Sequence, residues 1–82
     1  MKVKEYDYNG HLLFDGDYLN KKRWKGNFKK YYNNELIFEG EYLNGKIWNG
    51  KGKELDFRER VIFEGEYIKG IKNGFEKWWH LL

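Results

Sequence analysis

The same core returns at a nearly fixed interval along this chain: FDGDYLNKKRWKG begins at Phe14, FEGEYLNGKIWNG at Phe38 and FEGEYIKGIKNG at Phe63, giving steps of 24 and 25 residues. A repeat of this length is one supersecondary unit, too small to bury its own apolar face, so successive copies must stack on each other. Each core reads aromatic, acid, Gly, acid, Tyr. Between the cores lies a second half-motif, KEYDYNGHLL from Lys4, KKYYNNELI from Lys29 and KELDFRERVI from Lys53, with EKWWHLL closing the chain from Glu76.

Every repeat therefore holds two extended segments. In FEGEY a period of two puts Phe38, Gly40 and Tyr42 on one face and Glu39 and Glu41 on the other, which is strand spacing and not helix spacing. Asn9–Gly10, Asn33–Asn34 and the stretch from Arg58 to Arg60 supply turn chemistry between segments. These signals predict hairpins over Lys2–Leu19, Phe28–Leu43 and Gly52–Ile68 and a last strand near Phe75–Trp79. The expected fold is all-β, an elongated antiparallel meander of three tandem hairpins plus a terminal strand, forming one domain over residues 1–82.

Composition agrees. Aromatic residues make up 21% of the chain, proline is absent and glycine numbers 10, a mixture suited to strands and tight turns. With no cysteine, neither disulfides nor thiolate sites are available, and apolar burial and backbone pairing must hold the fold. The net charge of +3 comes from acids and bases that alternate along the chain, so the clustered basic stripe of a nucleic-acid binder is missing. No apolar run reaches the roughly 20 residues of a membrane-spanning helix, and MKVKEYDY is no signal peptide, so the expected compartment is cytoplasmic.

The recurring residues read as structural. Gly16, Gly40 and Gly65 sit between two aromatic residues, where a missing side chain lets a ring approach the backbone; Gly26, Gly50 and Gly74 follow the inter-hairpin connection, where a left-handed residue or tight bend is expected. Phe14, Phe38 and Phe63 with Tyr18, Tyr42 and Tyr67 form two aromatic columns that stacking merges into a core. Asp15, Asp17, Glu39, Glu41, Glu64 and Glu66 make an acidic ladder opposite, within reach of Lys4, Lys29, Lys53 and Lys77. Such a ladder lacks the asymmetric carboxylate pair that acid–base catalysis needs, and no nucleophile motif, phosphate loop or metal-ligand cluster is present. An enzyme, a cofactor and a metal are thus not expected, and His80 reads as incidental.

Trp24 and Trp48 read as loop residues that either cover the edge of the core or anchor a partner. Trp78, Trp79, Leu81 and Leu82 make the C-terminus unusually apolar, either a cap on the last hairpin or an interface with another chain, most simply a homodimer. Lys21, Lys22, Arg23 and Lys25 form the one concentrated basic cluster, a candidate contact for anionic lipid.

FEGEYLNG, KGKE and the 24-residue step resemble the MORN family, the membrane occupation and recognition nexus repeats, over almost the whole chain. The family pattern runs aromatic, Glu, Gly, Glu, aromatic, two variable residues, Gly, Lys, then Gly-x-Gly; Phe38 through Gly52 fits with one inserted residue, and the third core has the uninserted spacing. Lys21 stands where the glycine after Tyr18 is expected, Phe28 and Glu76 replace the second glycine of Gly-x-Gly, and the first hairpin lacks a preceding core. The resemblance implies a single-layered hairpin array serving as a noncatalytic protein-binding or scaffolding module. Alternatives are peripheral binding to anionic phospholipid and a small antitoxin-like protein that occludes one protein partner. The half-repeat at either end is what an excerpt of a longer array would show.

Overall fold

The computed structural model describes residues 1–76. Its seven strands are β1 (Lys2–Tyr6), β2 (Leu12–Leu19), β3 (Lys22–Tyr32), β4 (Glu35–Leu43), β5 (Lys46–Leu55), β6 (Val61–Ile68) and β7 (Ile71–Glu76), and the described residues contain no helix. They pair antiparallel in sequence order, one open meander, and the molecule measures 43 × 30 × 19 Å.

The three expected hairpins are present as β1–β2, β3–β4 and β5–β6. The segments between them, expected as loops, are hairpins too. Asn20–Lys21 (φ 53° and 65°), Asn44–Gly45 (54° and 83°) and Lys69–Gly70 (50° and 83°) place both central residues at positive φ, as a type I′ turn requires. Two residues therefore suffice to reverse the chain, and β3, β5 and β7 begin at Lys22, Lys46 and Ile71. Trp24 and Trp48 are strand residues, and the last strand starts earlier than Phe75; its expected end at Trp79 lies outside the described residues.

The second glycine set also lies in strands and not at bends. Gly16 faces Gly26, Gly40 faces Gly50 and Gly65 faces Gly74 across neighbouring strands. Gly26 has a positive φ of 151°, but Gly50 and Gly74 do not, and what the three share is close approach to a neighbouring strand. A Cβ on Gly16 would stand 2.6 Å from the Cα of Gly26, and one on Gly50 would stand 2.9 Å from Cε1 of Phe38, whose ring lies over that bare backbone.

Phe14, Phe28, Phe38 and Phe63 form the core, at 0, 6, 2 and 1% exposure, with Tyr18, Tyr42, Ile47 and Tyr67 packed on them. The tyrosines link successive repeats: Tyr42 meets Phe14 edge-on at 6.0 Å and Tyr67 meets Phe38 at 5.9 Å. Phe28, contributed by an odd-numbered strand, stacks on Phe38 at 5.7 Å. Such pairs add about 0.5–1.5 kcal/mol each beyond area burial.

Two kinds of bulge punctuate the ladder. Glu5 faces Phe14 while Tyr6 faces Leu12, leaving Leu13 unopposed; the same shift leaves Ile37 unopposed in β4 and Ile62 in β6. On the other side of the repeat, Asp17 faces Lys25 while Tyr18 faces Arg23, so Trp24 is the extra residue, as Trp48 is in β5. No register shift occurs between β6 and β7, where the sequence has the uninserted spacing.

Candidate interaction surfaces

Residues flanking the core Phe rings define the first surface. Arg23 leaves β3 on the aromatic face, donates from Nε and a terminal nitrogen to the two Glu5 oxygens at 2.9 and 3.0 Å, and sits 5.1 Å from the Phe14 ring centre and 5.6 Å from that of Tyr42. The Tyr18 hydroxyl donates to the same Glu5 carboxylate. Hydrogen bonding from Arg23 holds the Glu5 carboxyl below the ordinary value, and the hydrogen bonds to Glu5 raise the pKa of both Tyr18 and Arg23. At the far end the device recurs: Tyr67 donates to Glu54 at 3.3 Å, and Lys72 lies 5.1 Å from the Phe63 ring centre and 3.6 Å from Glu76. Burial works to lower the Lys72 pKa, but the charges of Tyr67, Glu54 and Glu76 leave it raised. The central repeat has Lys30 opposite Phe38 and Ile47 opposite Tyr42, an apolar cover where its neighbours carry a held cation.

The hairpin tips at one end of the sheet form the second surface. Asp7 and Asp56 each start a five-residue connection, and each accepts at Oδ1 from the backbone N–H groups two and four residues on: Asn9 and His11 at 2.9 Å each, Arg58 at 2.8 Å and Arg60 at 3.0 Å. Oδ2 meets His11 Nδ1 or Arg60 Nε at 2.9 Å. Gly10 at φ 84° and Glu59 at φ 65° occupy the equivalent positive-φ position. Burial acts to raise both aspartate pKa values, but the hydrogen bonds outweigh it and both carboxyls titrate below their ordinary value.

The residue after each aspartate has nowhere to pack. Tyr8 is 106% and Phe57 89% exposed. Between them, His11 stacks on Tyr31 at 4.1 Å, Asn9 Nδ2 donates to Asn34 Oδ1 at 2.7 Å, and a hydrogen bond to Glu59 raises the Tyr32 pKa. The tips are thus cross-braced, and both exposed rings stand on fixed supports.

On the opposite face the acidic residues alternate with lysines across the strands. Lys4 faces Asp15, Lys53 faces Glu64, and a row runs Lys29, Glu39, Lys51, Glu66, Asn73 across five strands. A shallow open trough of about 560 Å³ lies here between Asn27, Glu41, Asn49 and Glu66, floored by Gly40 and Gly50. Among the described residues no group of three or more His, Asp or Glu could hold a metal ion, and no helix is long and apolar enough to cross a membrane.

The residues singled out in the sequence separate accordingly. Each tryptophan ring covers a turn glycine of the next repeat: a Cβ on Gly45 would lie 3.4 Å from Trp24 and one on Gly70 3.5 Å from Trp48, and Gly45 N and Gly70 N donate to the Trp24 and Trp48 carbonyls at 3.0 and 2.7 Å. Lys21, Lys22 and Lys25 are exposed, but Arg23 is drawn to the aromatic face, so the four cations do not form one patch. Trp78, Trp79, Leu81, Leu82 and Lys77 lie outside the described residues. Tyr8 and Phe57 were not singled out; their signal was an aromatic following Asp at the turn in both DYNGH and DFRER. No family model matches the chain, and no similar protein was found among curated proteins or solved structures.

Proposed function

We propose that the chain is a noncatalytic protein-binding module of MORN-like construction, a stiff ribbon that presents aromatic residues on its hairpin tips. The observation carrying this reading is the pair of like-built loops that hold Tyr8 and Phe57 outward at matching positions. Tyrosine and phenylalanine on rigid supports lose little conformational freedom on binding and bury a large area, which is what a contact anchor needs. Arg58 lies 5.4 Å from the Phe57 ring centre and adds a charged, hydrogen-bonding rim to that anchor. The membrane alternative is left with Lys21, Lys22 and Lys25, since the Arg23 guanidinium is held by Glu5.

Photo-crosslinking in expressing cells tests this reading. With benzoylphenylalanine placed at residue 8 or 57, we expect one discrete protein adduct shared by both positions and absent from residue 51 on the charged face. Absence of any adduct specific to the tips sinks the proposal. Tyr8→Ala and Phe57→Ala should change stability by less than about 0.5 kcal/mol, because both side chains are already in water.

A further inference from the structure

Acids and bases alternate along the chain, yet folding sorts them at one end of the sheet. The turns joining β2 to β3, β4 to β5 and β6 to β7 all lie there, and they bring together Lys21, Lys22, Lys46 and Lys69, each of them exposed. The first acids met along these strands, Asp17, Glu41 and Glu66, stand on the third rung from the turns, and no described residue forms an ion pair with any of the four lysines. Successive turns are two strand spacings apart, about 9–10 Å, so the ammonium groups stand in a line along the end of a single-layered sheet. The described chain ends at Glu76, a full strand length away from this line.

The line is braced. Gly45 N and Gly70 N donate to the Trp24 and Trp48 carbonyls of the preceding repeat, and Lys69 N donates to Asn49 Oδ1 at 3.1 Å. The Trp24 ring fills the step between the first and second turns and the Trp48 ring that between the second and third; Trp24 is 38% exposed and Trp48 partly so. Two of the lysines hold backbone conformations that suit other residues. Where the middle turn has Gly45 the first has Lys21 at φ 65°, and where it has Asn44 the third has Lys69 at φ 50°. Backbone strain of this kind collects at contact sites, and no ion pair within the fold uses either ammonium group.

A line of ammonium groups with indole rings between them suits a chain of phosphates that carries flat bases. Each lysine neutralises a phosphate, and each ring offers a stacking surface that any base can use. An anionic membrane presents a plane to a line one strand layer thick, and an acidic peptide leaves the rings without a stacking partner. We infer that the turn end of the sheet binds single-stranded nucleic acid along Lys21, Lys22, Trp24, Lys46, Trp48 and Lys69, without regard to base sequence. This site lies at the opposite end of the strands from Tyr8 and Phe57 and stands or falls separately from them.

Fluorescence anisotropy of a short labelled oligothymidylate, titrated with the full chain, tests the inference. With four phosphates neutralised, affinity should fall about 50-fold between about 50 and 200 mM salt. Lys21→Gly and Lys69→Asn install the residues of the middle turn; together they should leave the fold at least as stable and weaken binding about tenfold, whereas Lys53→Gln on the charged face should not change it. An abasic chain of the same length should bind at least about tenfold more weakly than the oligothymidylate. Absence of binding at low salt, an affinity indifferent to salt or to the two turn substitutions, or equally tight binding of the abasic chain, polyglutamate or phosphatidylserine vesicles overturns the inference.

Discussion

Lysine at position 21 shows how one side chain can sit against the local preference of its backbone. It has φ 65° in a turn whose counterparts in the next two repeats are Gly45 and Gly70, and a left-handed conformation costs a residue with a Cβ about 1–2 kcal/mol. Lys21→Gly should therefore raise stability by about 1 kcal/mol, seen as a higher urea midpoint with an unchanged slope. Glu5 makes a second residue-scale prediction. Its folded pKa is depressed, so its pair with Arg23 contributes stability above the unfolded carboxyl pKa, and that contribution fades as pH falls through the folded value. Glu5→Gln should cost about 1 kcal/mol near neutrality. Denaturation curves at descending pH should converge for the two proteins; curves that stay parallel would remove Glu5 from the acid response.

Elements in this chain are positioned by glycine pairs and by bulges. Gly16→Ala forces the backbones of β2 and β3 apart, since its Cβ would stand 2.6 Å from the Gly26 Cα; a loss of about 3 kcal/mol is expected. Gly45→Ala meets nothing closer than the Trp24 ring at 3.4 Å and should cost about 1–2 kcal/mol, through its φ of 83°. Thermal unfolding of both variants tests that order. The strands and faces were legible in the sequence because period-two alternation and the 24-residue step report them directly. The boundaries of β3 and β5 were not. Asn20–Lys21 lacks the glycine that advertises a two-residue turn, and the inserted Trp24 and Trp48 looked like loop length when they are bulges that keep the chain in strand. The other bulge had a readable sign: LLF, LIF and VIF place two apolar residues before each core Phe, breaking the alternation where Leu13, Ile37 and Ile62 stand unopposed. The exposed tip aromatics were hidden because exposure of Tyr8 and Phe57 depends on the Asp-capped loop conformation, which spacing alone does not report.

At the scale of the whole molecule, every strand pairing among the described residues joins neighbours in sequence, and the buried Phe rings form a row along the array. Stability in such an array is a sum of repeat and interface contributions, greatest where a strand has partners on both sides. Amide exchange should be slowest in β3, β4 and β5 and faster in the edge strand β1, a gradient that mass spectrometry of exchanged peptides can read. Uniform protection would instead mean all-or-none opening. The hand-over of each Phe to the Tyr of the following repeat has a consequence for size: Tyr42 covers Phe14 and Tyr67 covers Phe38, so any copy of the middle unit accepts its predecessor and offers the same socket to its successor. Duplicating that 24-residue unit should lengthen the ribbon by two strand spacings, about 9–10 Å, without disturbing either end. The protein is in that sense a ruler, whose reach between contact points is set by how many marks are engraved on it.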